Sequence, residues 1–353
     1  MMYSLSQLRK IPVIFIVGKG RSGTTLLSTI LDSHPNVASA TESRFLLLVW
    51  QRYKGLKQWN ASMAAEYVEI VKNDFRIKLF WEFENGFREN LEMLPPETKV
   101  QDLIKLTYIY KKSIFSKKEI KFIVDKNPRY TLFVYKLRRV FPQAKFVRVV
   151  RDPRDNVASS IKYNKQKAVA IAFKWKKFNQ YFDAFEKINK QAATFSFEEL
   201  IHDKEGYFKR FEGFTGLSNL LVYEEARLTK KEDFERILNE PLKQQHGHTV
   251  KPLDNKKVGH FQSKLRLNQI QKIEDIVFPY AEKFGYRRTT EKEPIALKRR
   301  VQLSLRYKYK FLSNQIVYNL PYSLLVLAKH FIYNNLHKRK KKKYESLLKE
   351  NES

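Results

Sequence analysis

A glycine-rich segment near the start of the chain has the residue types and the spacing of a phosphate-binding loop. Gly18–Thr25 reads GKGRSGTT and directly follows the apolar, β-branched run Val13–Val17. Glycines let a backbone approach an anion closely, and the amide groups and dipole at the start of a following helix favour negative charge. The segment is therefore predicted to bind a phosphorylated ligand.

The loop departs from the pattern of ATP-binding loops at one position. Gly18 and Gly23 match the glycines of the pattern G-x4-G-K-[ST], but Thr24 occupies the place of the lysine that reaches the β- and γ-phosphates of ATP. The cations of this loop, Lys19 and Arg21, come earlier. We therefore expect a shorter anion whose reactive end lies near these cations. A P-loop kinase or NTPase remains an alternative.

A second group of candidate residues lies in the segment RVVRDPRDNVASS. Arg151 directly follows the predicted buried strand Lys145–Val150, and Ser159 lies eight residues further on. Asp152 suits an N-cap, and Pro153 suits the first position of a helix. Arg151 should then lie at the carboxyl end of a strand, where open α/β sheets bind ligands. With Ser159 it would hold a terminal phosphate through charge-assisted hydrogen bonds.

The elements that must position these residues alternate between strands and helices. Two further strands are predicted at Phe122–Val124 and Ala193–Phe197. Helical patterns occur at Tyr130–Phe141, Arg154–Lys165 and Ala168–Lys190. Such alternation predicts an α/β fold, here a P-loop-type parallel sheet flanked by helices.

Two regions do not follow this alternation. Residues 45–121 are rich in aromatic side chains and are predicted to form a helical insertion on the acceptor side of the sheet. The composition shifts after Gly285 and Tyr286. We therefore expect a main domain over residues 1–290 and a basic amphipathic C-terminal extension over residues 291–353.

The charge of the chain favours anionic partners. There are 68 basic and 37 acidic residues, which gives a net charge of +31. Residues 296–343, which include the basic run His337–Lys343, are predicted to lie on an anionic membrane surface. A helix packed on the main domain with a solvated tail is the alternative. Polar residues within 311–336 disfavour a transmembrane helix.

Composition excludes several other functions. Cysteine is absent, which rules out disulfides, cysteine-bound zinc, iron–sulfur clusters and a cysteine nucleophile. The run Ile11–Val17 is short and has no cleavage site after it, so it is predicted to be a strand rather than a signal peptide. We expect a cytoplasmic protein, with peripheral attachment at the inner face of the membrane left open. Nucleic acid is not expected, because no common nucleic-acid-binding pattern is present. A non-enzymatic binder of membranes or nucleic acid remains an alternative.

Taken together, the two motifs resemble those of the sulfotransferase superfamily, which uses 3′-phosphoadenosine 5′-phosphosulfate (PAPS). GRSGTTLL (Gly20–Leu27) is similar to the family's 5′-phosphosulfate loop, and Arg151 and Ser159 match its second signature. The likeness covers about residues 11–286. It implies PAPS as the donor and no metal. The donor-binding residues that it implies are Lys19, Gly20, Arg21, Ser22, Gly23, Thr24, Thr25, Arg151 and Ser159.

The resemblance also implies catalytic residues. Leu31–Arg44 is most similar to the tyrosylprotein sulfotransferase branch, in which the residue matching Glu42 is the general base. The segment DKNPRYTL places Lys126 at the position of that branch's catalytic lysine. Arg21 matches a residue that contacts the bridging oxygen and the transferred sulfuryl group. His34 is a rival base, and Glu42 has an alternative role as an ion-pair partner of Arg44.

Two further segments resemble the family less closely. Val258–Leu265 is similar to the loop that closes over the donor, usually Gly-Arg-Trp, but His260 and Phe261 depart from it. Phe197 replaces the tyrosine of a Tyr-Glu-Asp-Leu segment. The resulting hypothesis is in-line transfer of a sulfuryl group to a hydroxyl-bearing acceptor. A lipid or sterol is favoured as the acceptor, and a saccharide is the runner-up.

Overall fold

The strand at the centre of the sheet is the apolar run that leads into the glycine-rich loop. In the computed structural model of the chain, which describes residues 2–161, 167–230, 249, 251–292 and 296–331, Val13–Gly18 is buried along its whole length. It pairs in parallel with a neighbour on each side. A continuous apolar run is typical of a parallel strand that is covered on both faces.

The strands in chain order are β1 (Val13–Gly18), β2 (Val37–Thr41), β3 (Phe122–Lys126), β4 (Lys145–Val150) and β5 (Ala192–Ser196). Within the described residues they form one parallel sheet in the order β2-β3-β1-β4-β5. The predicted α/β fold is confirmed. Because the strands are parallel, their carboxyl ends meet at one edge, which is where open α/β sheets bind ligands.

Helices connect and flank the strands. In chain order they are α1 (Leu5–Lys10), α2 (Thr24–Ser33), α3 (Phe45–Tyr53), α4 (Ser62–Lys72), α5 (Phe75–Phe80), α6 (Phe87–Glu92), α7 (Val100–Ile109), α8 (Val134–Val140), α9 (Pro153–Ile161), α10 (Ala168–Glu186), α11 (Phe197–His202), α12 (Lys204–Thr215), α13 (Leu220–Ala226), α14 (Phe261–Lys264), α15 (Leu267–Val277), α16 (Leu297–Val317) and α17 (Tyr322–Phe331). Short 3₁₀ segments occur at Pro128–Phe133, Arg227–Lys230, Asn255–Lys257 and Tyr280–Phe284.

Three differences between the structure and the sequence-based elements have a clear physical reason. β2 is not predicted, because VASAT consists mainly of small residues and lacks an apolar run. β5 ends at Ser196 rather than Phe197, since the Ser196 side chain accepts hydrogen bonds from the amides of Glu198 and Glu199 and so caps α11. The helix predicted from Tyr130 begins as a 3₁₀ turn and becomes α-helical only at Val134.

The described residues group into two compact units. We call the described residues of 12–41 and 113–308 the sheet unit, and those of 1–11, 42–112 and 309–353 the helical unit. The division of the chain into residues 1–290 and 291–353 stays a prediction, as does the location of residues 45–121 on the acceptor side.

The sheet unit has an apolar core on each side of its strands. One core joins β1 and β5 to helices α2, α11 and α12, and includes Ile14, Leu27 and Phe195. The other joins the end of β4 to helices α9, α10 and α15, and includes Trp175 and Ile273. These cores fix the strand ends and the first turns of α2 and α9, which carry the two sequence motifs.

The helical unit is held together mainly by aromatic side chains. Trp59, Tyr53 and Tyr67 are buried and contact one another, and the Trp59 indole donates a hydrogen bond to the carbonyl of Leu91 at 2.8 Å. Tyr67 shares a hydrogen bond of 2.7 Å with the Thr107 hydroxyl. The helical character predicted for residues 45–121 is present in α3 to α7.

The C-terminal helices pack through only a few side chains. Tyr318 and Leu325 are buried in the helical unit, and Gln51 donates hydrogen bonds to the carbonyls of Asn319, at 3.0 Å, and Leu320. Among the described residues, no helix combines the length and the apolar composition that crossing a membrane would require. The basic run His337–Lys343 lies outside the described residues.

Candidate active site

The path of the loop after β1 requires glycine at two positions. Gly18 has a φ of 132°, and a Cβ atom there would lie 2.5 Å from the carbonyl oxygen of Val149. Gly23 has a φ of 87°, and a Cβ atom there would lie 2.2 Å from the ring of Phe197. Any other residue would be strained at either position. The two glycines therefore set the course of the backbone between β1 and α2.

Side chains from elsewhere in the sheet unit hold the loop in place. The Asn156 amide donates to the Gly20 carbonyl at 2.9 Å and to the Ser22 hydroxyl at 3.0 Å. The amide of Gly18 donates to the buried Thr131 hydroxyl at 2.8 Å. Arg21, between these anchors, has a φ of 73°. A non-glycine residue in this region is strained and persists only where its surroundings enforce it.

The two sequence motifs meet at Arg21. Its Nε atom donates to the Ser159 hydroxyl at 3.1 Å, and Arg151 donates to its carbonyl oxygen at 3.5 Å. The Asp152 carboxylate accepts a hydrogen bond from the amide of Arg154 at 2.8 Å, so it caps α9 as predicted. Arg151 and Ser159 are thereby brought beside the loop, at the carboxyl edge of the sheet.

Arg151 is buried, with an accessible fraction of 6%. Its guanidinium lies 4.4 Å from the centre of the Phe197 ring and donates to the carbonyl of Lys257 at 2.5 Å. Its Nε atom is buried and has no hydrogen-bond partner among the described residues. A buried cationic donor is costly unless it is paired. The site is therefore suited to an anion that completes the set of partners of Arg151.

Asp155 connects this arginine to the segment after residue 254. The fully buried carboxylate accepts hydrogen bonds of 2.8 Å from the amides of Gly259 and Phe261, and its Oδ1 lies 2.8 Å from Nδ1 of His260. Burial raises the pKa of Asp155, but the hydrogen bond from His260 and the charge of Arg151 outweigh this effect, so its pKa lies below the ordinary value. The segment resembling the donor-closing loop is thus anchored to α9.

Lys19 lies in a strongly cationic environment. Burial and the charges of Lys174, Arg21 and Arg129 lower the pKa of Lys19 to about 8. Its ammonium group is 3.4 Å from the carbonyl oxygen of Gly20. Charges of one sign are crowded at this edge of the sheet, and a bound anion would relieve their repulsion.

Lys126 lies at the end of β3 and is almost fully buried, with 1% exposure. Its ammonium group donates to the Thr25 hydroxyl at 3.1 Å. Because Thr25 is in the first turn of α2, the ammonium group is held at the end of the glycine-rich loop. The structure therefore brings Lys126 together with the loop, although the two are 101 residues apart in sequence.

Glu42 belongs to the helical unit and directly follows β2. It has a left-handed backbone, with a φ of 51°, and its carboxylate lies 3.9 Å from the guanidinium of Arg76. The last residue of β2, Thr41, pairs with Lys126 in the sheet register. Arg44 donates to the Tyr318 hydroxyl at 2.6 Å and lies over its ring.

His34, the rival base, is engaged in local structure at the end of α2. Its Nδ1 atom accepts a hydrogen bond from the amide of Asn36 at 3.0 Å, and its ring centre lies 4.3 Å from that of Tyr223. Burial and the charge of Lys117 lower its pKa. These contacts favour a structural role for His34.

Four residues that support the site were not identified as functional from the sequence: Thr131, Asp155, Asn156 and Phe197. Three of them, Thr131, Asn156 and Asp155, form hydrogen bonds with residues that are more than 100 positions away in the sequence. Of the four, only Phe197 was singled out in the sequence, as the residue that replaces the tyrosine of a Tyr-Glu-Asp-Leu segment.

A comparison with known protein families matches residues 12–220 to a family described as "Sulfotransferase family". The match covers the strands, the glycine-rich loop, Arg151 and Ser159. The match ends at residue 220, before the segment with Gly259 and Phe261 that Asp155 anchors.

Individual relatives are more distant. The chain is 25% identical over 186 residues to "Protein-tyrosine sulfotransferase 1" of Rattus norvegicus, a match that covers 53% of this chain and 42% of that protein. It is 25% identical over 251 residues to "Omega-hydroxy-beta-dihydromenaquinone-9 sulfotransferase Stf3" of Mycobacterium bovis, which covers 60% of this chain and 64% of that protein. The chain thus spans about half the length of the curated relatives it matches.

Among solved structures, the chain is similar to "Sulfotransferase Domain from the Synechococcus PCC 7002 Olefin Synthase". The identity is 18% and the TM-score is 0.46, and the match covers 79% of this chain and 96% of that one.

Proposed function

Because the chain belongs to the sulfotransferase family, we propose that it transfers a sulfuryl group from PAPS to a hydroxyl-bearing acceptor. The observation that carries this proposal is the junction of the two motifs at Arg21, which hydrogen-bonds Ser159 and lies beside Arg151. When bound, PAPS supplies the sulfuryl group and leaves as 3′-phosphoadenosine 5′-phosphate (PAP). The residues of the chain bind and orient the donor, and they stabilise the charge that develops during transfer.

The residues present fit such a donor. The glycine-rich loop leads directly into the first turn of α2, where backbone amides and the helix dipole favour an anion. Arg151, with its unpartnered Nε atom, and Ser159 would hold a terminal phosphate by charge-assisted hydrogen bonds. The donor-binding set that we propose is Lys19, Gly20, Arg21, Ser22, Gly23, Thr24, Thr25, Arg151 and Ser159. We propose no metal in this set.

Two cations of the sheet unit are proposed to stabilise charge during transfer. The Lys126 ammonium group is held at the end of the loop by the Thr25 hydroxyl, and Arg21 is fixed by Ser159. Donors that are already oriented stabilise developing negative charge without reorganisation in the transition state. Lys126 and Arg21 would therefore act on the sulfuryl and bridging oxygens.

Glu42 is proposed as the general base that takes the acceptor proton. Its support comes from the matching position in the tyrosylprotein branch and from its place after β2, whose last residue pairs with Lys126. The left-handed backbone of Glu42 is the kind of local strain that concentrates at functional sites. A general base typically accelerates a reaction by about 10²–10⁴-fold.

The proposed acceptor class is a lipid or sterol alcohol, with a saccharide as the runner-up. The names of the two relatives specify protein tyrosine and an omega-hydroxy menaquinone derivative, both of which offer a hydroxyl group. The proposal includes contact of residues 296–343 with an anionic membrane surface and, with it, a location at the inner face of the membrane.

Transfer of radioactive sulfur from labelled PAPS to a panel of acceptors tests this function. The panel contains a phenol, a sterol, a long-chain alcohol and a saccharide, and each is incubated with the purified chain or with Arg151→Ala. We expect label on at least one alcohol with the unchanged chain and much slower labelling with the variant at the same PAPS concentration. Transfer of phosphoryl groups from magnesium–ATP, without transfer from PAPS, would contradict the proposal and favour a P-loop kinase.

A further inference from the structure

The peptide bond that joins Arg151 to Asp152 lies just beyond the end of β4, and side chains hold both of its polar groups. The register between β4 and β5 ends at Val150, so this peptide needs partners from outside the sheet. Its carbonyl oxygen accepts a hydrogen bond of 2.9 Å from the indole of Trp175 on α10. Its amide donates a hydrogen bond of 2.8 Å to Oε1 of Glu198 on α11. We call this arrangement the Arg151 peptide clamp.

The Arg151 peptide clamp fixes the direction in which the side chain of Arg151 leaves the backbone. A peptide group is planar, so holding its carbonyl and its amide fixes the plane and restricts the ψ angle of Arg151. On the other side, Val150 is held by its pairing with Ser196 in the sheet. The Cα atom of Arg151 therefore lies between two fixed peptide groups.

Glu198 is itself oriented by two hydroxyl groups. Its Oε2 atom accepts hydrogen bonds from Ser196, at 2.8 Å, and from Tyr286, at 2.9 Å, which leaves Oε1 for the amide of Asp152. Tyr286 also supports the opposite side of the clamp, because its buried ring lies edge-on to that of Trp175, with 6.4 Å between the ring centres. One tyrosine therefore contacts both side chains of the Arg151 peptide clamp.

The first turn of α11 acts on Arg151 in two ways. The Phe197 ring lies under the guanidinium, and the next residue, Glu198, holds the peptide that follows the arginine. Groups that bind a ligand must be held within about 0.5 Å of their productive positions to be effective. A rotation of this peptide would shift the whole guanidinium, so the clamp controls where the proposed phosphate-binding group lies.

We propose that Glu198 is a positioning residue for donor binding, which holds the peptide after Arg151 and so directs the guanidinium toward the terminal phosphate of the donor. The inference rests on the proposed function, in which Arg151 binds that phosphate. The competing role for Glu198 is local support of the start of α11, beside the Ser196 cap. A local role acts independently of Arg151, whereas a positioning role acts only through it.

Calorimetric titration of the full-length chain with PAP, comparing Glu198→Ala with Glu198→Gln, tests the inference. Both variants remove the negative charge, but only glutamine keeps an oxygen that can accept from the amide of Asp152. The difference between them therefore reports the hydrogen bond, and we expect binding about tenfold weaker in Glu198→Ala than in Glu198→Gln. Glu199→Ala is the control, because Glu199 lies in the same turn but pairs with Arg210, and it should bind PAP as the unchanged chain does.

A double-variant cycle with Arg151→Ala separates positioning from local support. When residue 151 is already alanine, no guanidinium is left to direct, so replacing Glu198 by alanine should change PAP affinity by less than about twofold. Equal PAP affinities of Glu198→Ala and Glu198→Gln would overturn the inference. A loss of about tenfold that persists in the Arg151→Ala background would also overturn it, in favour of local support.

Tyr286→Phe is a second test, which decides the question if Glu198→Ala does not fold. It removes the hydroxyl that orients Glu198 and keeps the ring beside Trp175, so PAP binding should weaken about threefold. Unchanged affinity in this variant would overturn the inference. Failure of the proposed function is distinguishable, because the unchanged chain would then not bind PAP, and the inference would fall with it. If the unchanged chain binds PAP and only the Glu198 and Tyr286 variants fail to weaken binding, the inference alone is wrong.

Discussion

The sheet unit and the helical unit hold their candidate catalytic residues by different means. In the sheet unit, the loop is fixed by two obligatory glycines and by hydrogen bonds from Asn156, and Arg21 is joined to Ser159. In the helical unit, Glu42 is held by a left-handed backbone and a 3.9 Å ion pair with Arg76, in a region built from aromatic packing.

This difference shows which part of a site a short motif can specify. The sheet unit must place backbone amides and two arginines around an anion, so glycine positions and residue spacing are tightly constrained. An aromatic core such as that of the helical unit can be built from many sequences of similar volume. Substitutions in the sheet unit should therefore affect donor binding, and Glu42 should affect turnover.

The largest effect is expected for Glu42→Gln. Removing the proposed base should lower kcat by about 10²–10⁴-fold and leave the affinity for PAP unchanged. Steady-state kinetics with labelled PAPS measures the first quantity, and calorimetry measures the second. Glu66→Gln is the matched control, because Glu66 also pairs with an arginine of the helical unit, Arg52, and lies outside the proposed site. Equal kcat values for the two variants would show that Glu42 is not the general base.

Arg151→Ala should weaken PAP binding about 100-fold, since two charge-assisted hydrogen bonds to a phosphate would be lost. Calorimetric titration measures this loss. Arg151→Lys keeps the charge without the planar group and should recover part of the affinity. Arg210→Ala removes an arginine that pairs with Glu199 on the surface of the sheet unit, and it should bind PAP normally. If the PAP affinity of Arg151→Ala were unchanged, this result would contradict the assignment of the donor site to the sheet unit.

Asp155→Asn should weaken PAP binding about tenfold, because Asp155 anchors the segment that contains Gly259 and Phe261. The Asp155 carboxylate uses both of its oxygens, to accept from the backbone amides of Gly259 and Phe261 and to contact His260. The asparagine side chain has only one oxygen that can accept, and it carries no charge. Hydrogen exchange at residues 259–261 should become faster, and kcat at saturating donor should stay the same. Slow exchange at these amides in the variant would show that Asp155 does not hold the segment.

The smallest effect concerns pH. Lys19 has a pKa of about 8, and a bound anion would raise this pKa, so binding above pH 8 requires uptake of a proton. PAP affinity should therefore be highest below pH 8 and fall about fivefold between about pH 7.5 and pH 8.7. Calorimetry in buffers of different ionisation enthalpy would detect the proton uptake. In Lys19→Met the uptake should disappear. Uptake that persists in that variant would assign the titration to another group.

The sequence predicted the parts of this site that depend on local geometry. The apolar run before Gly18 and the capped helix after Arg151 are local patterns, and both were found where expected. The sequence missed β2, whose small residues join the sheet only through pairing with β3. It also missed the functions of Asn156 and Thr131, because each bonds a partner more than 100 residues away. Long-range contacts of this kind leave no pattern in one sequence.

Calorimetric titration with PAP, compared with magnesium–ATP, tests the central claim most directly, because it examines the donor site without an acceptor. The account predicts tight binding of PAP in the absence of added metal, and it predicts that Arg151→Ala weakens this binding about 100-fold while Arg210→Ala retains it. Binding of magnesium–ATP in preference to PAP, or no binding of PAP, would contradict the assignment of the glycine-rich loop and Arg151 to a PAPS site.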